Sequence, residues 1–375
     1  MGTYGADRDF FASRRINTVE LKSADGMSRL LSVPAWQGRV MTSTTGGDDA
    51  PGYGWINYGF IASGEVNPQF NSYGGEERFW IGPEGGPFSW FFRKGDEQVY
   101  ANWLVPAIID HEPFAIESVS DREVVYAASA SLENASGNRF DIGFRREVRL
   151  LDRAETDSLL GVRIPDGVRV LAYSTANSLT NKGSSAWTKE TGMPSVWLLG
   201  CFNPSPTTTV FIPYDKSCEG RIVNDEYFGK VPADRLAVRD GMVFFKIDGE
   251  FRSKIGLPAG SARDLCGSYD SAAHVLNILK FTKPVGDCDY VNSQWGAQEC
   301  AFGGDVVNAY NDGPTETGVV MGPFFEIETS SPAAALAPGE TLTHTQYTLH
   351  IEGSPSRLDP LVRSVFGLPL SAIHL

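Results

Sequence analysis

The sequence predicts an all-β protein, a large antiparallel sandwich with few short helices, and three observations lead there. Its 375 residues hold 40 glycines and 22 prolines, which fall in turn clusters at a steady interval from end to end. Between the clusters lie short runs of apolar or alternating character, and aromatic residues make up 11% of the chain. Stretches with a 3.6-residue apolar period are scarce.

In chain order the runs begin with 28–33, apolar and stopped by Pro34. Residues 141–151 alternate, with Ile142, Phe144, Val148 and Leu150 on one side. The runs 168–173, 195–199, 207–212, 242–247 and 275–281 are more continuously apolar, as strands covered on both faces are. Two more follow at 319–328 and 343–351, the second alternating with threonines. One amphipathic helix is predicted over 356–366, after Ser354 and Pro355, with Asp359 and Arg363 on its polar side. No linker, charge block or internal repeat divides the chain, so residues 1–375 read as one domain.

With 32 Lys and Arg against 46 Asp and Glu, the net charge is -14. So negative a surface does not attract phosphate backbones or anionic lipid, which argues against nucleic acid and membrane as partners. No run reaches the roughly 18 to 20 apolar residues of a membrane helix. Residues 1–7 lack the basic and then apolar pattern of a signal peptide. Cys201, Cys218, Cys266, Cys288 and Cys300 have no Cys-x-x-Cys spacing; they read as buried thiols, with room for one bridge among the later four.

Three segments carry more polar and aromatic side chains than turns require. In 71–86, preceded by Trp55, the glycines allow close backbone approach. Arg78, Glu84 and Trp80 add the paired charge and flat apolar face that suit a sugar ring. The second segment runs from Trp295 through Asp305, Asn308, Tyr310 and Asp312 into a strand containing Glu326 and Glu328. A strand's period of two puts both glutamates on one side, with Phe325 and Ile327 on the other. If that side opens into a cleft, crowding of like charges raises one pKa, as a general acid or base needs. The third, 177–183, contains Thr180, Asn181 and Lys182, and its residues also make turns for local reasons.

His344 and His350 share a face of one predicted strand; His111 follows Asp110, His274 lies in an apolar run, and His374 is near the C-terminus. No zinc-type histidine spacing, phosphate-binding loop or serine-nucleophile motif occurs. No cofactor and no metal site is signalled, although Asp305 and Asp312 leave a hard cation open. Asn134, Ala135 and Ser136 match a glycosylation sequon.

Taken together, residues 33–40, the Thr-Asn segment 177–181, and the acidic strand 325–329 followed by Pro338, Gly339 and Glu340 resemble the galactose mutarotase-like superfamily. These are the relatives of aldose 1-epimerase, and the likeness spans nearly the whole chain. Residues 75–86, 224–230 and 304–313 look like an uncharacterised bacterial family within it. The resemblance implies a β supersandwich and acid/base chemistry at the anomeric centre of a sugar or oligosaccharide. In the epimerases the acidic strand supplies the base, so Glu326 or Glu328 takes that place here. The histidine after their Thr-Asn pair is replaced by Lys182, which leaves Lys182, His111 or His274 as the acid. The implied substrate groups are Arg78, Trp80, Glu84, Trp55, Asn181, Asp305, Asn308 and Tyr310. Similar proteins are often exported, which points to the periplasm or the exterior. Three other functions fit the same fold: lyase chemistry on a uronic-acid glycan, two-carboxylate glycoside hydrolysis, and sugar binding without turnover.

Overall fold

The computed structural model describes residues 2–315 and 318–375. After an N-terminal helix comes a three-stranded antiparallel sheet: β1 (Val19–Lys22), β2 (Arg29–Val33) and β3 (Arg39–Thr44). The following strands are β4 (Arg78–Gly82), β5 (Ala115–Val119), β6 (Glu123–Glu133), β7 (Arg139–Leu150) and β8 (Arg169–Asn181). Next come β9 (Ser195–Phe202), β10 (Thr208–Pro213), β11 (Leu236–Arg239), β12 (Met242–Lys246) and β13 (Ser253–Pro258). The last five are β14 (Leu265–Asp270), β15 (Val275–Phe281), β16 (Asp305–Asn311), β17 (Phe325–Ser330) and β18 (Thr341–Glu352). The α-helices are α1 (Tyr4–Ser13), α2 (Tyr58–Ser63), α3 (Arg153–Leu160) and α4 (Pro355–Phe366).

Ten strands form one sheet in the order β11-β12-β10-β14-β15-β18-β8-β7-β6-β5, and five form another, β13-β16-β17-β9-β4. Their inner faces pack together, which is why apolar residues recur at every second position. Phe79 and Ile81 of β4 and Val196 and Leu198 of β9 meet Tyr126, Phe144 and Tyr173 of the larger sheet. Ile255, Ala309, Phe325 and Ile327 meet Val210, Val243, Phe245 and Leu279. The back of the larger sheet is covered by α4 through Leu358, Leu361 and Val362. On the outer face of the five-stranded sheet, Trp80 and Trp197 are covered by Phe91 and Trp103 of the loop after β4.

The sandwich interior also holds paired charge. Arg146 reaches Glu77 at 2.9 Å and Asn177 at 2.7 Å, all fully buried. Both histidines of β18 point inward as the alternation required, His344 to Thr329 at 2.9 Å and His350 to Glu76 at 2.6 Å.

Most predicted runs are strands, and the predicted helix is α4. The run 319–328 is corrected: only Phe325 onward pairs, because Gly322 and Pro323 interrupt it and Pro323 has no N–H for a ladder. All five cysteines are free, so no bridge forms among the later four. The segment around Asp305 to Asn311, read as a polar segment leading into a strand, is itself β16. Helix α3 starts at an Asp152–Glu155 capping box, a sequence signature that the strand-dominated reading passed over.

Candidate functional site

Register across the five-stranded sheet assembles two rows of side chains on its outer face. In one row Lys254 of β13 lies opposite Tyr310 of β16, Tyr310 opposite Glu326 of β17, and Glu326 opposite Cys201 of β9. In the next, Gly256, Asn308, Glu328, Leu199 and Arg78 stand side by side across all five strands. Trp197 and Trp80 pair in the row beyond. The two glutamates therefore project together from β17 while Phe325 and Ile327 enter the core.

Each glutamate has its own cation. Arg78 forms an ion pair with Glu326 Oε1, and the Cys201 thiol donates to the same oxygen at 3.0 Å. The Arg78 guanidinium lies over the Trp80 ring, 4.6 Å from its centroid. Lys254 Nζ and the Trp197 indole N–H both reach Glu328 Oε2 at 2.9 Å. Glu328 is 1% exposed, and its other oxygen, Oε1, has no partner. Of ten buried side-chain polar atoms without a partner among the described residues, four belong to this cluster: Arg78 Nε, Trp80 Nε1, Trp103 Nε1 and Glu328 Oε1. Unpaired buried polar atoms are costly, so their concentration sets this cluster apart from the rest of the interior.

Glu84 closes the cluster from the loop after β4. Its N–H donates to Ser293 Oγ at 3.1 Å, and its carbonyl accepts from Ser89. Burial pushes its carboxyl up to about 7, the Lys254 charge pulls the other way, and the nearby Glu328 charge adds to the rise. The indole N–H groups of Trp103 and Trp295 approach this carboxyl and favour its charged form, although that of Trp103 closes no hydrogen bond. Glu326 is also raised, by burial first, against the pull of Arg78 and with a push from Glu328. Lys254 stays protonated: burial opposes its charge, but the charges of Glu328 and Glu84 outweigh it.

Beside these groups Tyr227 donates to Asp305 Oδ2 at 2.5 Å, and Asn308 Nδ2 donates to the Tyr227 hydroxyl at 3.1 Å. Gly256 makes this triad fit, since a Cβ there would stand 2.0 Å from Asp305 Oδ2 and 2.5 Å from Asn308 Nδ2. Tyr310 turns its hydroxyl to Asp312 at 2.7 Å, and with Trp55, Cys201 and Phe324 it makes an apolar patch next to Glu326. The glycine after Glu84 serves loop packing: a Cβ on Gly85 would meet the Gln294 carbonyl oxygen at 2.4 Å. Among the described residues no three His, Cys, Asp or Glu converge as a metal site requires.

The structure brings Arg78, Trp80, Glu84, Trp55, Asp305, Asn308, Tyr310, Glu326 and Glu328 to one sheet face. It takes Asn181, Lys182 and His274 elsewhere. Asn181 is buried, its amide donating to the Ser185 and Leu336 carbonyls, so it builds the turn after β8. Lys182 is exposed beside Gly143 at that end of the larger sheet, where it meets none of the carboxylates of the cluster. His274 sits in the β14–β15 turn at φ 55°, within reach of Tyr269. His111 is bound to Asp110 and Asn71, at 3.3 and 3.4 Å. Lys254, Trp197, Cys201, Tyr227 and Trp103 were missed, because nothing in the local sequence separates them from ordinary strand or loop residues. A cleft of about 570 Å3 at the edge of the larger sheet holds Arg122, Arg153 and Arg169, each already engaged by acidic groups or carbonyls.

A family model described as a family of unknown function (DUF6786) matches residues 2–375. No curated protein matches the chain. Among solved structures, the Slr1438 protein of Synechocystis sp. PCC 6803 superposes with a TM-score of 0.55 at 11% identity, covering 91% of this chain and 97% of that one. A protein of Escherichia coli K12 provisionally named an aldose 1-epimerase gives 0.50 at 13% identity, over 90% of this chain and all of its own. A protein of Salmonella typhimurium provisionally named a mutarotase (YeaD) gives 0.50 at 11%, over 93% and 100%. The likeness is one of fold, and the architecture is the galactose mutarotase-like β-sandwich.

Proposed function

The chain belongs to the family of unknown function DUF6786, and from that premise and the sheet face just described we propose that it binds a sugar there and moves protons at the anomeric centre. The observation that carries this reading is Glu328. One of its oxygens is fixed by Trp197 and Lys254, while the other is buried without a partner. Such an oxygen is a preformed acceptor for a hydroxyl proton. Glu84, whose carboxyl burial pushes up to about 7, supplies the complementary acid. In the reaction Glu84 protonates the ring oxygen and Glu328 takes the proton of the anomeric hydroxyl. The bond between the anomeric carbon and the ring oxygen then breaks to give the open aldehyde. After rotation, closure returns both protons and yields the other anomer.

Lys254 holds one oxygen of Glu328 in place, and Arg78 pairs with Glu326 next to it. Neither Lys182 nor a histidine is needed as the acid. Fold likeness to proteins provisionally named for this chemistry supports the reading. The test is two-dimensional exchange NMR on neutral monosaccharides, with saturation-transfer binding read from the same samples. Exchange faster than in buffer, lost in Glu328→Gln, is the expected result. Binding without acceleration would leave a recognition protein, which the lack of any histidine contact to the cluster among the described residues also fits. Unchanged acceleration in both Glu326→Gln and Glu328→Gln would remove the base from this strand.

A further inference from the structure

Next to Glu84 lies an aromatic array that the proton transfer does not use. Trp103 is flanked on one side by Tyr100, whose ring centroid is 6.0 Å away at an interplanar angle of 17°. On another side stands Trp295, at 6.3 Å and 26°. Tyr100 and Trp295 are thus each close to parallel with Trp103. Tyr100 is 63% exposed, Trp295 is half-buried and Trp103, which lies between them, is 8% exposed, so the array is a ramp whose outer rings reach solvent and whose middle ring is buried next to Glu84.

The ramp is held in place. Gln98 Oε1 accepts from Gly86 N at 2.8 Å and from Gly296 N at 2.7 Å, and its amide returns a bond to the Gly86 carbonyl at 2.7 Å. One side chain so ties the loop that carries Glu84 and Trp103 to the loop that carries Trp295. Trp103 Nε1 points towards the Glu84 carboxyl without closing a hydrogen bond, which joins the array to the acid. The ligand must present flat apolar faces together with hydroxyls, since an aromatic array beside a carboxyl rewards that combination. It must also be uncharged. Around the cluster the cations Arg78, Lys254 and Arg252 are already engaged by Glu326, Glu328 and Tyr310, so none is free to meet a ligand carboxylate.

We propose that Tyr100, Trp103 and Trp295 form a second sugar subsite, so that the ligand of the Glu84–Glu328 face is a neutral oligosaccharide whose next ring stacks on this ramp. The inference rests on the proposed sugar chemistry of that face and extends it by one ring. A uronic-acid glycan is the wrong class, because each carboxylate it brought would find those cations already engaged.

The test measures dissociation constants by calorimetry and saturation-transfer NMR for glucose and galactose and for neutral di- and trisaccharides of each. Matched galacturonate oligomers serve as the charged comparison. The expected result is affinity at least tenfold higher for some neutral trisaccharide than for its monosaccharide. In Tyr100→Ala, an exposed position that the fold tolerates, that ratio falls several-fold, and in Trp295→Ala it falls further. Equal affinity for the monosaccharide and every longer neutral sugar would overturn the subsite and leave the sugar chemistry standing. Preference for the galacturonate oligomers would overturn the neutral class. If no sugar of any length binds, both readings fall together.

Discussion

Replacing Glu84 with Gln is the most informative single perturbation of the fold's energetics, because the environment holds this carboxyl at about 7 against an ordinary value of 4.5. Between those two pH values the folded chain keeps a proton that the unfolded chain releases. The stability this confers is fully present below 4.5 and is lost as the pH rises through 7. At about 1.4 kcal/mol for each pH unit, the interval corresponds to about 3 kcal/mol. Gln cannot ionise, so the variant escapes that loss. Urea unfolding followed by tryptophan fluorescence at pH 4.5 and pH 8 reads the difference, since titrating groups remote from Glu84 are common to both proteins and cancel. The account expects Glu84→Gln to gain about 3 kcal/mol on the wild type between the two pH values. A stability difference that is the same at both would show that Glu84 is neither desolvated nor pressed by Glu328.

Two further outcomes concern buried charge. Arg78→Met leaves Glu326 as an unpaired buried carboxylate and is expected to cost about 3 to 5 kcal/mol in urea unfolding; adding Glu326→Gln should recover more than half of that, and a cost below about 1 kcal/mol would contradict the pairing. His344 is held neutral in the interior, its pKa lowered by burial to about 3 from 6.5. Its contribution is present above 6.5 and is lost as the pH falls towards 3, so His344→Gln should gain about 2 kcal/mol on the wild type between pH 6 and pH 4.5, again by urea unfolding, and no gain would mean that the imidazole is solvated.

How far the site could be read from the sequence depends on what kind of spacing positions each residue. Glu326 and Glu328 were legible because a strand's period of two is a local property, and two acids flanked by Phe325 and Ile327 can project only one way. Arg78 and Glu84 stood out because glycines surround them. Lys254 was not legible: it lies in an ordinary strand, and only its register against Tyr310, two strands from Glu328, brings its ammonium to the carboxylate. Trp197 is hidden for the same reason, since its partner comes from a strand more than a hundred residues later. The Thr-Asn segment misled because Asn181 satisfies the Ser185 carbonyl of its own turn and the Leu336 carbonyl of a distant segment, a use that looks identical in sequence to a ligand-facing amide. The segment 305–311 did not read as a strand because Asp305, Asn308 and Asn311 are poor strand formers; with Val307 and Ala309 facing the core, the sheet overrides that preference.

The central claim is that Glu84 and Glu328 act as acid and base on a sugar at the outer face of the five-stranded sheet. Anomer exchange measured side by side in the wild type, Glu84→Gln, Glu328→Gln and Lys182→Ala tests it most directly. The account predicts acceleration over buffer in the wild type and in Lys182→Ala, a loss of about a hundredfold or more in each glutamate variant, and a wild-type rate that declines above about pH 7 as Glu84 gives up its proton. Full activity in both glutamate variants with loss in Lys182→Ala would place the chemistry at the end of β8 and contradict the account.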